Sequence, residues 1–256
     1  MVEWYVRTYV CENGVEDKTK FPLAIAEGEQ VSTKRYRERA LRKAEKNVTE
    51  CKHELARILN NNFRARRDVH MTCEYSDGAL RSITERAGTE RDNVQLAAER
   101  EMKNFIRRVA RECRKNGIEL RYVFVTSDMD GKTKEAVRVH HHLIVNREAA
   151  EICREKWTAG ETYARTLYGS GKGGHDLGDL AFYLVEQVRK IEGKHRYTPS
   201  RTLRKATPKP PVKARNPQSE LAAPRGCEIL WRAESRPGRP QHIRYYRPPD
   251  GEEAAG

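Results

Sequence analysis

Several features that mark other classes of protein are missing from this chain of 256 residues. It has no run of about 18 apolar residues, so we expect no membrane-spanning helix. Its six cysteines never form a CxxC pair, so we expect reduced, mostly buried thiols rather than a thiolate zinc site or a disulfide framework. The first residues show no basic segment followed by an apolar one, so we expect no secretory signal and a cytoplasmic location.

Acidic residues are also in short supply. Asp and Glu number 37 against 50 Lys and Arg, which leaves a formal net charge of +13. A soluble chain this basic favours a polyanionic partner, and nucleic acid is the commonest one. Hydrophobic residues make up only 37% of the chain and charged residues 34%, so we expect solvated segments beside a core.

Composition divides the chain into four parts. Residues 1–60 are expected to hold a short strand and a basic helix, and residues 61–205 carry the regular pattern of a folded domain. Residues 206–226 are proline-rich and predict an extended linker. Residues 227–256 predict a small C-terminal segment, either a hairpin or loosely attached, with a disordered tail.

Within the second part, side-chain periodicity predicts both strands and helices. The predicted strands are 69–75, 119–126, 137–145 and 161–168, and the predicted helices are 93–116, 147–156 and 179–191. Strands joined by helices, with an antiparallel hairpin among them, indicate an α+β domain whose helices pack on one face of the sheet.

The most informative stretch is RVHHHLIVN (138–146). Alternate side chains of a strand share a face, so His140 and His142 lie together with about 7 Å between their Cα atoms. Two imidazoles at this spacing can converge on one cation, but a metal site needs a third ligand, usually a carboxylate. Asp128 and Glu74 are both candidates. A polar sheet face with solvated histidines is the alternative.

A second informative stretch is the predicted amphipathic helix DLAFYLVEQVRKI (179–191). Tyr183 lies opposite the apolar stripe, on the face that also carries Glu186, Gln187 and Lys190. With a cation at the histidines, this tyrosine suits phosphoryl transfer, in which a phenol oxygen attacks a DNA phosphate. The protein would keep the 5′ phosphate as phosphotyrosine and release a 3′ hydroxyl, so the strand could be rejoined. A tyrosine that only packs is the alternative.

Three stretches together resemble the HUH endonuclease superfamily, and within it the rolling-circle replication initiators of bacterial plasmids and small single-stranded-DNA phages. DVHMTCEY (68–75) is similar to the first motif of the family, RVHHHLIVN (138–146) to its His-hydrophobe-His metal motif, and FYLVEQVRK (182–190) to its tyrosine helix. The flanking NNNF (60–63) and RYTPSRTLRK (196–205) also fit this group. In this chain the middle residue of the metal motif is itself a histidine.

The resemblance implies a central antiparallel sheet of about five strands, of the RNA-recognition-motif type, with packed helices and a basic C-terminal extension. It implies His140 and His142 as ligands of Mg²⁺ or Mn²⁺, and Tyr183 as the nucleophile. It also implies single-stranded or hairpin origin DNA as the substrate and a cytoplasmic location in bacteria. The chain has no helicase P-loop, so a host helicase and polymerase are the expected partners.

The chain departs from the family pattern at two places. The family often carries Lys three residues after the tyrosine, where this chain has Glu186; Lys190 could substitute, or Glu186 could help to hold the cation. The third metal ligand is often a Glu at the end of the strand before the histidines. Here that end is Ser127-Asp128, so Asp128 is the predicted ligand, with Glu74 as an alternative beside Glu186.

Basic residues outside the two motifs are predicted to contact the DNA backbone. They are Arg196, Arg201, Arg204, Lys205 and, in the Gly-rich loop at 169–178, Lys172. That loop lacks the GKS/T sequence and is therefore not a P-loop. A solvated tail and a flexible loop are the alternatives for these residues.

Two other functions compete with the initiator. A non-catalytic nucleic-acid-binding protein with a similar sheet would show strong, salt-sensitive binding without metal dependence. An HUH-type transposase or relaxase would use the same chemistry. In a relaxase the tyrosine normally lies near the N-terminus, ahead of the histidines, whereas here it follows them, which favours the initiator.

Overall fold

The chain folds as two compact units. The computed structural model describes residues 2–24, 48–189, 191, 194–234 and 240–249. The central unit comprises residues 62–169 and 179–204, and the terminal unit comprises the described parts of 1–61, 170–178 and 205–256. No helix within these described stretches combines the length and the apolar character needed to cross a membrane.

The described residues form eleven strands and five helices. In chain order the strands are β1 (Val2–Val10), β2 (Val15–Ala24), β3 (Val69–Glu74), β4 (Tyr122–Met129), β5 (Ala136–Val145), β6 (Thr162–Thr166), β7 (Thr198–Pro199), β8 (Thr207–Pro208), β9 (Val212–Lys213), β10 (Glu228–Arg232) and β11 (Gln241–Tyr246). The helices are α1 (Val48–Asn62), α2 (Asp77–Ala87), α3 (Arg91–Lys115), α4 (Arg147–Lys156) and α5 (Gly178–Glu186).

The central unit is an antiparallel sheet in the order β6-β3-β5-β4-β7, with the histidine strand β5 in the middle. This confirms the predicted α+β class and the five-stranded sheet with helices packed on it. The alternation of β3 and β5 separates the two faces of the sheet. One face buries Met71 and Cys73 in a core shared with Phe105 of α3. The other face is polar and carries His70, among other side chains that define the site described below.

The terminal unit joins the two ends of the chain in one sheet, in the order β10-β11-β2-β1-β8, with β9 also paired to β1. The predicted linker therefore contributes the short strands β8 and β9, and the predicted C-terminal segment contributes a hairpin. The backbone N–H of Lys209 donates to Thr8 O, and that of Ala214 donates to Trp4 O. A proline-rich stretch can pair in this way because it lies at the edge of the sheet.

Other expectations are met in part. The described part of helix α1 is Val48–Asn62, and the first half of the predicted basic helix falls in residues 25–47, outside the described residues. Periodicity does not predict α2, because Ser76-Asp77-Gly78 has the composition of a turn. Ser76 is instead an N-cap, whose side chain accepts a hydrogen bond from Ala79 N. All six cysteines are free and five of them are buried, as expected.

Candidate active site

His140 and His142 point to the same polar face of the central sheet. Their Nε2 atoms lie 3.1 Å apart. Two nitrogens bound at right angles to one divalent ion, each at about 2.1 Å, would be about 3 Å from each other. The spacing of these two atoms therefore suits a common ion.

His140 has the tautomer that a metal ligand needs. Its Nδ1 lies 2.9 Å from the carbonyl oxygen of Arg138, which can only accept a hydrogen bond. The ring proton is therefore on Nδ1, and the Nε2 lone pair points towards His142. A backbone carbonyl that orients an imidazole in this way is the usual support for a metal-bound histidine.

His142 lies within a chain of hydrogen bonds that runs from Arg165 to Gln187 and has only one possible direction. Arg165 Nη2 lies 3.4 Å from His70 Nδ1, His70 Nε2 lies 3.0 Å from His142 Nδ1, and His142 Nε2 lies 3.0 Å from Gln187 Oε1. Arginine can only donate and an amide oxygen can only accept, so both rings carry their proton on Nε2. An ion at His142 Nε2 would therefore have to displace the Gln187 oxygen and move the ring proton to Nδ1.

Burial keeps the imidazole rings of His142 and His70 neutral. Desolvation lowers the pKa of His142 to about 3, with smaller contributions from His140 and His70. Desolvation and the neighbouring Arg165 lower the pKa of His70 to about 4. Metal ligation requires a neutral imidazole, so His142 needs to lose no proton to the solvent at neutral pH, only to move its ring proton from Nε2 to Nδ1.

Tyr183 lies beside the histidines. Its ring centroid is 5.8 Å from that of His142, and the side chain is 40% exposed. Helix α5 buries Ala181, Leu184 and Val185, and this apolar stripe turns the tyrosine face towards the polar side of the sheet. The structure thus brings together the phenol and the two imidazoles that the motifs identified.

Asp128, the predicted third ligand, does not join them. Its carboxylate is buried and forms ion pairs of 3.0 Å with Arg91 and 3.1 Å with Arg189. Strand β4 is irregular between Ser127 and Met129, so Asp128 departs from the alternation that would place it with the histidines. The two arginines satisfy its charge, which makes it a structural residue.

Glu74 is the better-placed carboxylate. It pairs directly with His140 across β3 and β5, so the two side chains share the polar face, and Glu74 is exposed. Among the described residues no carboxylate or thiol lies within 4.8 Å of both imidazoles, so Glu74 would have to turn towards them to bind a shared ion. Glu186 is exposed on α5, and its carbonyl oxygen accepts a hydrogen bond from Lys134 at 3.1 Å.

Gln187 contributes an unsatisfied donor to the site. Its Nε2 is buried and has no hydrogen-bond partner within the described part of the chain. The Gln187 backbone is fixed, because Ser127 Oγ donates to its carbonyl oxygen at 2.6 Å. An unpaired buried amide costs stability, so a donor held in this position is expected where an anionic oxygen or a water molecule binds.

The predicted DNA-contacting residues are divided between the two units. Arg201 and Arg204 are exposed in the central unit, whereas the guanidinium of Arg196 donates to the carbonyl oxygen of Val188. Lys172 and Lys205 belong to the terminal unit. Lys190 lies outside the described residues.

The middle histidine of the motif belongs to the core. His141 Nδ1 lies 3.0 Å from Thr126 Oγ1, and its Nε2 lies 2.8 Å from Tyr75 Oη, which itself donates to the carbonyl oxygen of Ala98. Tyr75 must therefore accept from Nε2–H, and Nδ1 accepts from Thr126. Desolvation, with His140 and His142 nearby, lowers the pKa of His141 to about 3. This network fixes the orientation of β5 and therefore that of the two histidines on the other face.

Sequence reasoning missed two members of the site. The alternation of side chains along β3 puts His70 on the same face as Glu74. That alternation was the only sequence signal for His70. Arg165 lies on β6, and nothing in its local sequence shows that β6 pairs with β3.

Comparisons of the chain with protein-family models, with curated proteins and with solved structures each gave no match. The geometry of the chain itself therefore carries the functional argument.

Proposed function

We propose that the protein is a metal-dependent DNA strand transferase that nicks and rejoins single-stranded DNA through Tyr183, in the manner of HUH-type rolling-circle initiators. One observation carries the proposal: the imidazoles of His140 and His142 have their Nε2 atoms 3.1 Å apart, and the partly exposed ring of Tyr183 has its centroid 5.8 Å from that of His142. Paired imidazoles beside a candidate nucleophile match the requirements of phosphoryl transfer.

His140, His142 and Glu74 would hold the cation. A divalent ion bound there would neutralise the non-bridging oxygens of a phosphate and position it. Mn²⁺ accepts imidazole nitrogens beside a carboxylate more readily than Mg²⁺ does, because Mg²⁺ favours oxygen ligands. The Arg138 carbonyl keeps His140 in the required tautomer throughout.

Tyr183 would perform the covalent step. Its Oη forms a bond to phosphorus as the bond from phosphorus to the 3′ oxygen breaks, so the phenol gives up a proton and the leaving 3′ hydroxyl takes one up. The 5′ phosphate stays on the tyrosine. Gln187 Nε2 would donate to a phosphate oxygen. Attack by a 3′ hydroxyl on the phosphotyrosine reverses the step and joins the strand.

The same face offers a surface for single-stranded DNA. Tyr163 on β6 pairs with Thr72 of β3, lies on the polar face and is 56% exposed. Aromatic rings bind single strands by stacking on bases, whatever the sequence. Arg165, also on β6, adds positive charge beside it. Single-stranded or hairpin origin DNA would lie along this edge, and a host helicase and polymerase would supply unwinding and synthesis.

A non-catalytic nucleic-acid-binding protein remains the second candidate, because of one specific observation. His142 Nε2 is already bonded to Gln187 Oε1, and no third ligand meets the two histidines within 4.8 Å among the described residues. A protein of this kind would bind single strands with the same affinity in chelator as in Mn²⁺.

The experiment that separates the two candidates uses His140→Ala with His142→Ala. An end-labelled pool of single strands is incubated with Mn²⁺, and nicked products are resolved on a denaturing gel. We expect the wild type to nick and the double variant to retain DNA binding without nicking. Undiminished nicking by the double variant would remove the metal site from the account, and absence of nicking by the wild type over a broad pool would favour the binding protein.

A further inference from the structure

A second group of metal-ligating side chains lies in the terminal unit. Asp17 of β2, His53 of α1 and His242 of β11 each place a ligand atom within 4.8 Å of the other two. Asp17 and His53 are buried, and His242 is partly buried. The candidate active site does not use any of them.

Asp17 supplies the observation that points to a ligand. Its side chain is 2% exposed, and Oδ2 forms an ion pair of 2.8 Å with Arg57. Its other oxygen, Oδ1, is buried and has no hydrogen-bond partner among the residues that the structure describes. A buried carboxylate oxygen without a donor is costly, and a coordinated cation would satisfy it.

His242 is already oriented as a ligand. Its Nδ1 lies 3.1 Å from Thr19 Oγ1, its direct partner across β2 and β11. A histidine ligand commonly bonds through its second nitrogen to such a partner, which fixes the ring and leaves the first nitrogen for the metal. When Nδ1–H donates to Thr19 Oγ1, the lone pair of Nε2 is available to an ion.

We propose that Asp17, His53 and His242 form a zinc-type site in the terminal unit, distinct from the candidate active site. Two imidazoles and one carboxylate are a donor set of zinc, whereas Mg²⁺ and Ca²⁺ favour sites built from oxygen. Water would complete the coordination.

The geometry also sets limits on binding. The rings of His53 and His242 stack with centroids 4.4 Å apart and an angle of 9° between their planes. A metal ion lies in the plane of each imidazole that binds it, so one ring must tilt as the ion enters. The positive charge of Arg57 opposes a cation, so the site should bind more weakly than a closed structural zinc site.

The test uses the full chain with His140→Ala and His142→Ala, so that the candidate active site cannot bind the ion. The protein is treated with chelator, desalted and titrated with Zn²⁺. Bound metal is measured by equilibrium dialysis with elemental analysis, and the melting temperature is followed in parallel. We expect one equivalent of Zn²⁺ and a higher melting temperature, because an ion that binds only the folded state stabilises it.

Further substitutions in this background locate the ion. Thr19→Val should weaken Zn²⁺ binding roughly 10- to 100-fold by removing the support of His242, and His242→Gln should weaken it by about 100-fold or more. His195→Gln, which removes an exposed histidine of the central unit, is the matched control and should leave binding unchanged.

Two results would overturn the proposal: no Zn²⁺ bound by the folded parent, or binding unchanged by His242→Gln. If circular dichroism shows that His242→Gln does not fold, the nearly isosteric Asp17→Asn decides in the same way. The outcome does not depend on nicking, so it stands or falls separately from the proposed function.

Discussion

Removing the negative charge of Asp128 and of Glu74, one at a time, tests which carboxylate is the third metal ligand. Asp128→Asn removes the partner of Arg91 at 3.0 Å and of Arg189 at 3.1 Å. Breaking a buried ion pair costs about 3–5 kcal/mol. Arg91 is half-exposed and Arg189 keeps its contact with Asp92, so we expect about 2 kcal/mol here. In a chain of this size, that corresponds to a fall of roughly 4–8 °C in the melting temperature.

Glu74→Gln should leave stability nearly unchanged and raise the Mn²⁺ requirement for nicking. Glu74 is exposed, so the substitution should change the free energy of unfolding by less than about 0.5 kcal/mol. The Mn²⁺ concentration that gives half-maximal nicking should rise by about tenfold or more, because a charged ligand is lost. Both variants are measured by thermal melting and by Mn²⁺ titration of nicking. A rise in the Mn²⁺ requirement for Asp128→Asn at unchanged stability would refute the reasoning.

Two further predictions concern the buried network. The pKa of His141 is about 3 in the folded state and about 6.5 in the unfolded state. The unfolded state therefore binds an extra proton as the pH drops below about 6.5, and the free energy of unfolding falls. At pH 5 the expected loss is about 2 kcal/mol. Urea unfolding at pH 7 and pH 5 measures this, and equal stability at both would contradict it. Gln187→Ala removes the hydrogen bond between His142 Nε2 and Gln187 Oε1, which is worth about 1 kcal/mol. Mn²⁺ should therefore bind about fivefold more tightly in the absence of DNA. Weaker binding in a calorimetric titration would contradict this prediction.

Local periodicity was enough to predict the two faces of the central sheet. The period of two in β5 placed His140 and His142 together, and the helical period of α5 turned Tyr183 away from the buried stripe. Both patterns depend only on neighbouring residues, so they could be read without knowing the fold.

The parts that the sequence did not predict depend on distant partners. Asp128 follows a strand irregularity and is neutralised by Arg91, which lies 37 residues earlier in the chain. The terminal sheet pairs β1 with β8 and β9, which are two residues each and too short to show a period. Asp17 and His242 lie on strands from opposite ends of the chain, so no local motif could show that they meet.

The most direct test of the central claim is the covalent adduct. Labelled single-stranded DNA is incubated with the protein and Mn²⁺, and the mixture is boiled in detergent and run on a denaturing gel. We predict a shifted protein–DNA species for the wild type and for Tyr168→Phe, which alters a tyrosine that is 76% exposed. Tyr183→Phe should bind the same DNA and form no such species. A shifted, denaturant-resistant species from Tyr183→Phe would contradict the account.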